Sequence, residues 1–212
     1  GTTSNYVVPN TNQCLSCHSN ANKESGASPI GAKLRFMNGP YRMESALDSG
    51  QSHHEVLGQN QIAYWCSKGY MSGCPSSIPV NAAKVATGIE RSPIFNKPGD
   101  SGAAANSAAD VEARARAYLE VNCQHCHNEK GFAASTGLYL DSLRKVDSTY
   151  CICKHPTATG SAGSGGRHVD LYPGRDAESI LPFRISDEAT TAAARMPPIA
   201  RSVVHAEGHA LI

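Results

Sequence analysis

The strongest constraint on this chain is a five-residue pattern, Cys-x-x-Cys-His, that occurs twice. It stands at Cys14–His18 (CLSCH) and again at Cys123–His127 (CQHCH). Two closely spaced thiols followed at once by a histidine form the attachment sequence of a c-type haem. A redox Cys-x-x-Cys pair or half of a zinc site explains the cysteines but not a histidine after both pairs. The sequence therefore predicts two covalently bound haem c groups.

The motifs identify the residues that should hold the two haem groups. The thiols expected to form thioethers are Cys14, Cys17, Cys123 and Cys126. The following histidines, His18 and His127, are the expected proximal iron ligands.

The distal ligand of the second haem is predicted to be Met196. It lies well downstream of His127 and is followed by Pro197 and Pro198, which stiffen the loop that would hold the thioether against iron. The alternative is a core methionine packed beside the haem edge.

The distal ligand of the first haem is less constrained. Met71 is the first choice, because it follows a predicted helix in a loop that a Cys66–Cys74 bridge would brace. His53 or His54 would give bis-histidine ligation instead. Both alternatives stay open.

Composition restricts the partners. The chain has 212 residues, a net charge of +1 and 17% charged residues, so no strong attraction to nucleic acid or to an anionic membrane is expected. No apolar run approaches the length of a membrane span. The distance between the motifs predicts two haem domains, 1–105 and 106–212, joined by a stretch rich in Gly, Ala, Ser and Asn.

Four of the eight cysteines lie outside the motifs, namely Cys66, Cys74, Cys151 and Cys153. A Cys66–Cys74 bridge is preferred, because it closes a short loop that contains two glycines. A direct Cys151–Cys153 bridge would be strained, which leaves an interdomain bridge or free buried thiols. Disulfides and covalent haem both predict an extracytoplasmic location: periplasm, cell surface or extracellular space.

The apolar pattern predicts a mainly α fold with long loops. Helices are expected at 110–122 with Asp110 as N-cap, at 53–68, and at 203–212, and Thr11 is expected to cap a short helix that enters the first motif. A few short strands are expected at 137–140 and 169–172.

Several longer strings resemble a family of diheme c-type cytochromes of the bacterial envelope. They are Tyr6–His18, Pro29–Lys33, Ala115–His127, Gly163–Arg167 and Arg201–Gly208. The resemblance implies two class-I cytochrome c-like haem domains and electron transfer with redox partner proteins.

Three functions follow from these features. The first is a diheme electron carrier, which is not an enzyme. The second is a subunit of an extracellular electron-conducting filament, a homopolymer built by haem–haem stacking. The third and least favoured is a diheme peroxidase, which needs an open distal site and a nearby acid or base.

Overall fold

The computed structural model describes residues 8–18, 29–31, 33–39, 59–74, 92–93, 97–157, 159–191, 194–199 and 201–212. The chain forms two compact units, one of residues 1–30 with 94–212 and one of residues 31–93. Both Cys-x-x-Cys-His motifs belong to the first unit. The two haem domains expected from motif spacing have different bounds from these units, namely 1–105 and 106–212. That division stays a prediction.

Secondary structure in the described residues is mainly α, as predicted. The α-helices are α1 (Thr11–His18), α2 (Leu34–Met37), α3 (Gln61–Ser67), α4 (Ala108–Asn122), α5 (Gly160–Ser164), α6 (Ile180–Ile185) and α7 (Ala206–Leu211). Short 3-10 helices span Ala134–Thr136, Ser148–Tyr150 and Asp176–Glu178. None of the described helices combines the length and the apolar character that a bilayer crossing requires.

The expected strands are reduced to isolated bridges. Residues 137–140 form no strand, because their amides bond to turns: Leu140 N–H, for example, donates to the His127 carbonyl at 3.0 Å. Around residues 169–172, single parallel bridges join Val169 to Ser179 and Leu171 to Ile152.

The first motif occupies α1, and the residue before that helix caps it. The Asn10 side-chain oxygen accepts from the Gln13 N–H at 3.0 Å, and Asn10 N–H donates to Gln13 Oε1 at 2.9 Å. This reciprocal capping box satisfies two backbone donors that lack partners at a helix start. The predicted cap, Thr11, is instead the first helical residue.

The helix before the second motif, α4, begins with Ser107 rather than with Asp110 as N-cap. The Ser107 hydroxyl accepts from Asp110 N–H at 3.3 Å. The Asp110 carboxylate instead accepts hydrogen bonds from the preceding loop, including the Gly99 and Asn106 amides at 2.9 and 3.0 Å. Asp110 therefore ties residues 99–106 to α4.

The core of the first unit lies between α4, α6 and the intervening loops. Its buried members are Leu119, Leu140, Tyr150, Cys151 and Leu181. Helix α7 packs against α4. There the rings of Tyr118 and His205 stack with centroids 5.7 Å apart, and a Cβ on Gly208 would enter the Tyr118 ring. Glycine at this position therefore permits the close approach of the two helices.

In the second unit, α3 starts at Gln61 and is shorter than the predicted helix at 53–68, whose residues 53–58 lie outside the described part. Asn60 caps it by accepting from Ala63 N–H at 3.1 Å, and its amide donates to the buried Asn38 at 2.9 Å. Cys66 and Cys74 are joined in a disulfide, with Cα atoms 5.9 Å apart, which is the pairing that the sequence favoured.

Candidate functional site

The second motif is a tight turn that continues α4. Cys123 is the C-cap of the helix, and its N–H donates to Leu119 O at 2.9 Å. The Cys123 carbonyl then accepts from both Cys126 N–H (3.1 Å) and His127 N–H (2.9 Å). A Cβ on Gly131 would collide with the Cys126 carbonyl, so this position must remain glycine for the chain to fold back over the motif.

One cavity brings together three predicted site residues. Cys123 and His127 come from this turn, and Met196 comes from a later loop. The other lining residues are mostly apolar: Leu138, Leu140, Ile180, Leu181 and Ile185, together with Asp170 and Arg184. The cavity measures about 60 Å³. Ligand pockets usually start near roughly 300 Å³. A macrocycle would therefore require the cavity walls to separate.

Burial in this wall sets the charge states of the motif side chains. Desolvation and, secondarily, the charge of Arg184 lower the pKa of His127 to about 4, against a smaller opposing effect of the Leu138 backbone. The imidazole is therefore neutral at pH 7, which is the form that ligates metals. Its buried Nδ1 makes no hydrogen bond of good geometry with the described residues. Burial raises the pKa of the Cys123 thiol to about 12.

The Met196 backbone is fixed from both sides. Its N–H donates to the Arg184 carbonyl at 2.8 Å, and its carbonyl accepts from the Arg201 guanidinium at 3.0 Å. The same guanidinium donates to the Arg184 carbonyl (3.0 Å) and to the Ser186 carbonyl (2.7 Å). Sequence reasoning missed Arg201, because a bond to backbone carbonyls leaves no motif.

The first motif meets the second. The Cys17 and Cys126 Sγ atoms are 3.4 Å apart, and the Cys126 Sγ lies 3.8 Å from the Ser16 carbonyl. Burial, followed by the contact with Cys17, raises the pKa of Cys126 to about 12. Cys14 is exposed and His18 is half-buried at the end of α1. The first motif therefore contacts the second through Cys17, the second cysteine of the first motif.

His125 joins this contact. Its Nδ1 is buried and has no hydrogen-bond partner among the described residues. Burial and the nearby His18 lower the pKa of His125. One potential ligand atom from each of Cys17, His125 and Cys126 lies within 4.8 Å of the other two.

Met71 was the first choice for the distal ligand of the first haem. Met71 is half-buried in the loop after α3, within the second unit, and its ligand role stays a prediction. His53 and His54 lie outside the described residues. Outside the motifs, Cys151 is a buried free thiol and Cys153 an exposed one.

Two arginines that follow α5, Arg167 and Arg175, have protein partners. Arg167 donates to Ala177 O at 2.8 Å and pairs with Glu188 at 3.1 Å, and its guanidinium lies 4.4 Å from the centroid of the Phe183 ring. Arg175 pairs with Glu178 at 3.2 Å. Within the cavity, Arg184 is the cationic residue that sequence reasoning did not single out.

Comparison of the chain with family models, curated proteins and solved structures finds no match. A thiol, a neutral buried histidine and a methionine among apolar side chains form a donor set that fits a covalently attached haem.

Proposed function

We propose that this protein is a diheme c-type cytochrome that transfers electrons outside the cytoplasm. The observation that carries the proposal is the cavity shared by Cys123, His127 and Met196. Met196 is far from Cys123 and His127 in sequence, and all three were expected from the sequence as attachment or ligand residues. The apolar residues around them supply the environment in which a macrocycle packs.

Each residue of the second site has a defined task. Cys123 and Cys126 would anchor the group through thioethers, and His127 and Met196 would ligate its iron. Bound haem supplies reversible one-electron chemistry. The surrounding leucines and isoleucines exclude water, and the backbone bonds of Met196 hold the sulfur-bearing residue in place.

The first site would use Cys14, Cys17 and His18 in the same way. Its distal ligand is proposed to be Met71, with His53 or His54 as the alternative. The Cys66–Cys74 disulfide supports an oxidising compartment and hence an extracytoplasmic location. The proposed partners are redox proteins.

Counting covalent haems tests this proposal. The full chain should be produced in a host that attaches haem c outside the cytoplasm, and the intact denatured protein should be weighed. The expected mass gain is that of two haems, with the alkaline pyridine spectrum of thioether-linked haem. The double variant Cys123→Ala/Cys126→Ala should carry one haem, whereas Cys153→Ala, which changes a free exposed thiol, should carry two. An unmodified mass would refute the proposal.

A filament subunit is the second candidate. Four large apolar side chains among the described residues of the first unit are strongly exposed: Val8 at 78%, Leu143 at 75%, Val203 at 68% and Phe132 at 67%. Contacts between copies would cover such side chains. Negative-stain imaging of the unheated extracellular fraction decides: long uniform fibres containing this chain favour the filament, and discrete small particles favour a carrier.

A further inference from the structure

The contact between the two motifs is a cluster of three donor side chains, which we call the inter-motif cluster: Cys17, His125 and Cys126. Its two sulfurs are 3.4 Å apart, and all three potential ligand atoms fit within 4.8 Å. The Nδ1 of His125 is buried and finds no hydrogen-bond partner among the described residues. One ring nitrogen of His125 lies within 4.8 Å of both sulfurs, so three side chains of the kinds that bind metal ions meet here.

The dimensions of this cluster suit one small ion. Zinc binds sulfur at about 2.3 Å and imidazole nitrogen at about 2.0–2.1 Å in tetrahedral geometry, which places neighbouring ligand atoms roughly 3.5–4 Å apart. Thiolate and imidazole are also the donors that zinc prefers over carboxylates and water. The observed spacings need only small side-chain movements to reach this geometry.

We propose that Cys17, His125 and Cys126 bind one zinc ion across the two motifs in the chain that has not yet received haem. On binding, both thiols release their protons to solvent, and the two thiolates neutralise the charge of the ion. Three protein ligands leave the fourth position to water or to a small thiol, so the ion is exchangeable. The ion site stands on the spacing of these three side chains, whereas its competition with haem rests on the proposed function.

Zinc and haem exclude each other at these sulfurs. A thioether to haem removes the thiolate that the ion needs, and a bound ion occupies one attachment cysteine of each motif. Zinc should therefore slow haem attachment at both motifs together, whereas ions held within separate motifs would act on each motif independently.

The test uses the full chain produced without covalent haem and kept reduced. Zinc is titrated against a chromophoric chelator, and cobalt(II) serves as the spectroscopic probe. The expected result is one ion per chain, with the charge-transfer absorption of cobalt bound to thiolate. Cys17→Ser and Cys126→Ser, which lie far apart in sequence, should each lower the affinity at least about tenfold. The matched control Cys153→Ser should leave the affinity unchanged.

Two results would overturn the inference. One is a stoichiometry of two ions per chain, which indicates a separate site in each motif. The other is an equal loss of affinity in Cys14→Ser and Cys17→Ser, because Cys14 lies outside the inter-motif cluster. Circular dichroism of each variant checks that its helices are retained, and His125→Ala tests the nitrogen ligand without altering a thiol. Haem counting is a separate measurement, so either proposal can fail while the other stands.

Discussion

Arg114 lies one helical turn after Asp110 in α4, and its Nε donates to Asp110 Oδ2 across 2.9 Å. The Asp110 carboxylate, which is fully buried, also accepts from the Ser101 hydroxyl at 2.7 Å and from two loop amides. Burial pushes the pKa of Asp110 upward, but the hydrogen bonds from Ser101, Asn106, Arg114 and Gly99 outweigh it and hold the pKa well below its usual range.

This pKa predicts an acid-dependent loss of stability. Because the folded pKa is depressed, the contribution of Asp110 is complete above the unfolded value near 4 and declines as pH falls toward the folded value. Asp110→Asn should lower the melting temperature by several degrees at pH 7, and the gap to wild type should narrow below pH about 4. Asp176→Asn, on the surface, is the control. A gap that stays constant with pH would contradict the carboxylate's role.

Leu140 should contribute much more to stability than Leu143, its near neighbour. Leu140 is 1% exposed and lines the cavity, whereas Leu143 is 75% exposed. Leu140→Ala should reduce the free energy of unfolding by about 3 kcal/mol, because it removes packed methyl groups and enlarges a void. Leu143→Ala should change it by less than about 0.5 kcal/mol. Denaturant titration of both variants measures the difference, and equal values would place Leu140 outside the core.

Arg201 should stabilise the loop that carries Met196. Removing its guanidinium leaves the carbonyls of Arg184, Ser186 and Met196 without this donor. Arg201→Gln should cost about 2 kcal/mol, within the range for hydrogen bonds that involve a charged group. Arg195→Gln is the matched control, since Arg195 makes a longer side-chain bond, to Ala189 O at 3.4 Å, within the described part of the chain. Thermal unfolding should separate the two variants, and identical melting temperatures would count against the role of Arg201.

Met196 should control one of the two haems if the proposed function holds. Met196→Ala removes the thioether, which should lower the reduction potential of one haem and open its iron to cyanide. Redox titration and cyanide difference spectra measure both effects. Met37→Ala, in a helix of the second unit, should leave the second haem unchanged. A Met196→Ala protein with two unaltered potentials would show that another residue is the ligand.

Sequence patterns predicted the parts of this fold that depend on residue type and spacing. The mainly α content, the helix before the second motif and the Cys66–Cys74 pairing follow from apolar periodicity and loop length. Short-range competition was harder to predict. Ser107 and Asp110 are both residue types that favour the N-cap. Ser107 takes this position because the Asp110 carboxylate accepts hydrogen bonds from the loop at residues 99–106.

Site residues could be predicted where residue type and spacing identify them. They could not be predicted where a side chain binds only backbone atoms. The position of Met196 in the cavity with Cys123 and His127 could be anticipated because few methionines exist and because two prolines follow it. Arg201 could not, since its partners are carbonyl oxygens that any residue supplies. The contact between Cys17 and Cys126 was hidden for another reason: it depends on tertiary folding, which brings together side chains that no local pattern links.

That sulfur contact joins residues separated by 109 positions. Closing so long a loop is a late event, because chain entropy opposes it until both ends have been made and the intervening elements have formed. A nascent chain therefore presents its first pair of thiols well before the second pair exists. Order of synthesis thus gives the N-terminal motif a period of chemical independence that the C-terminal motif never has.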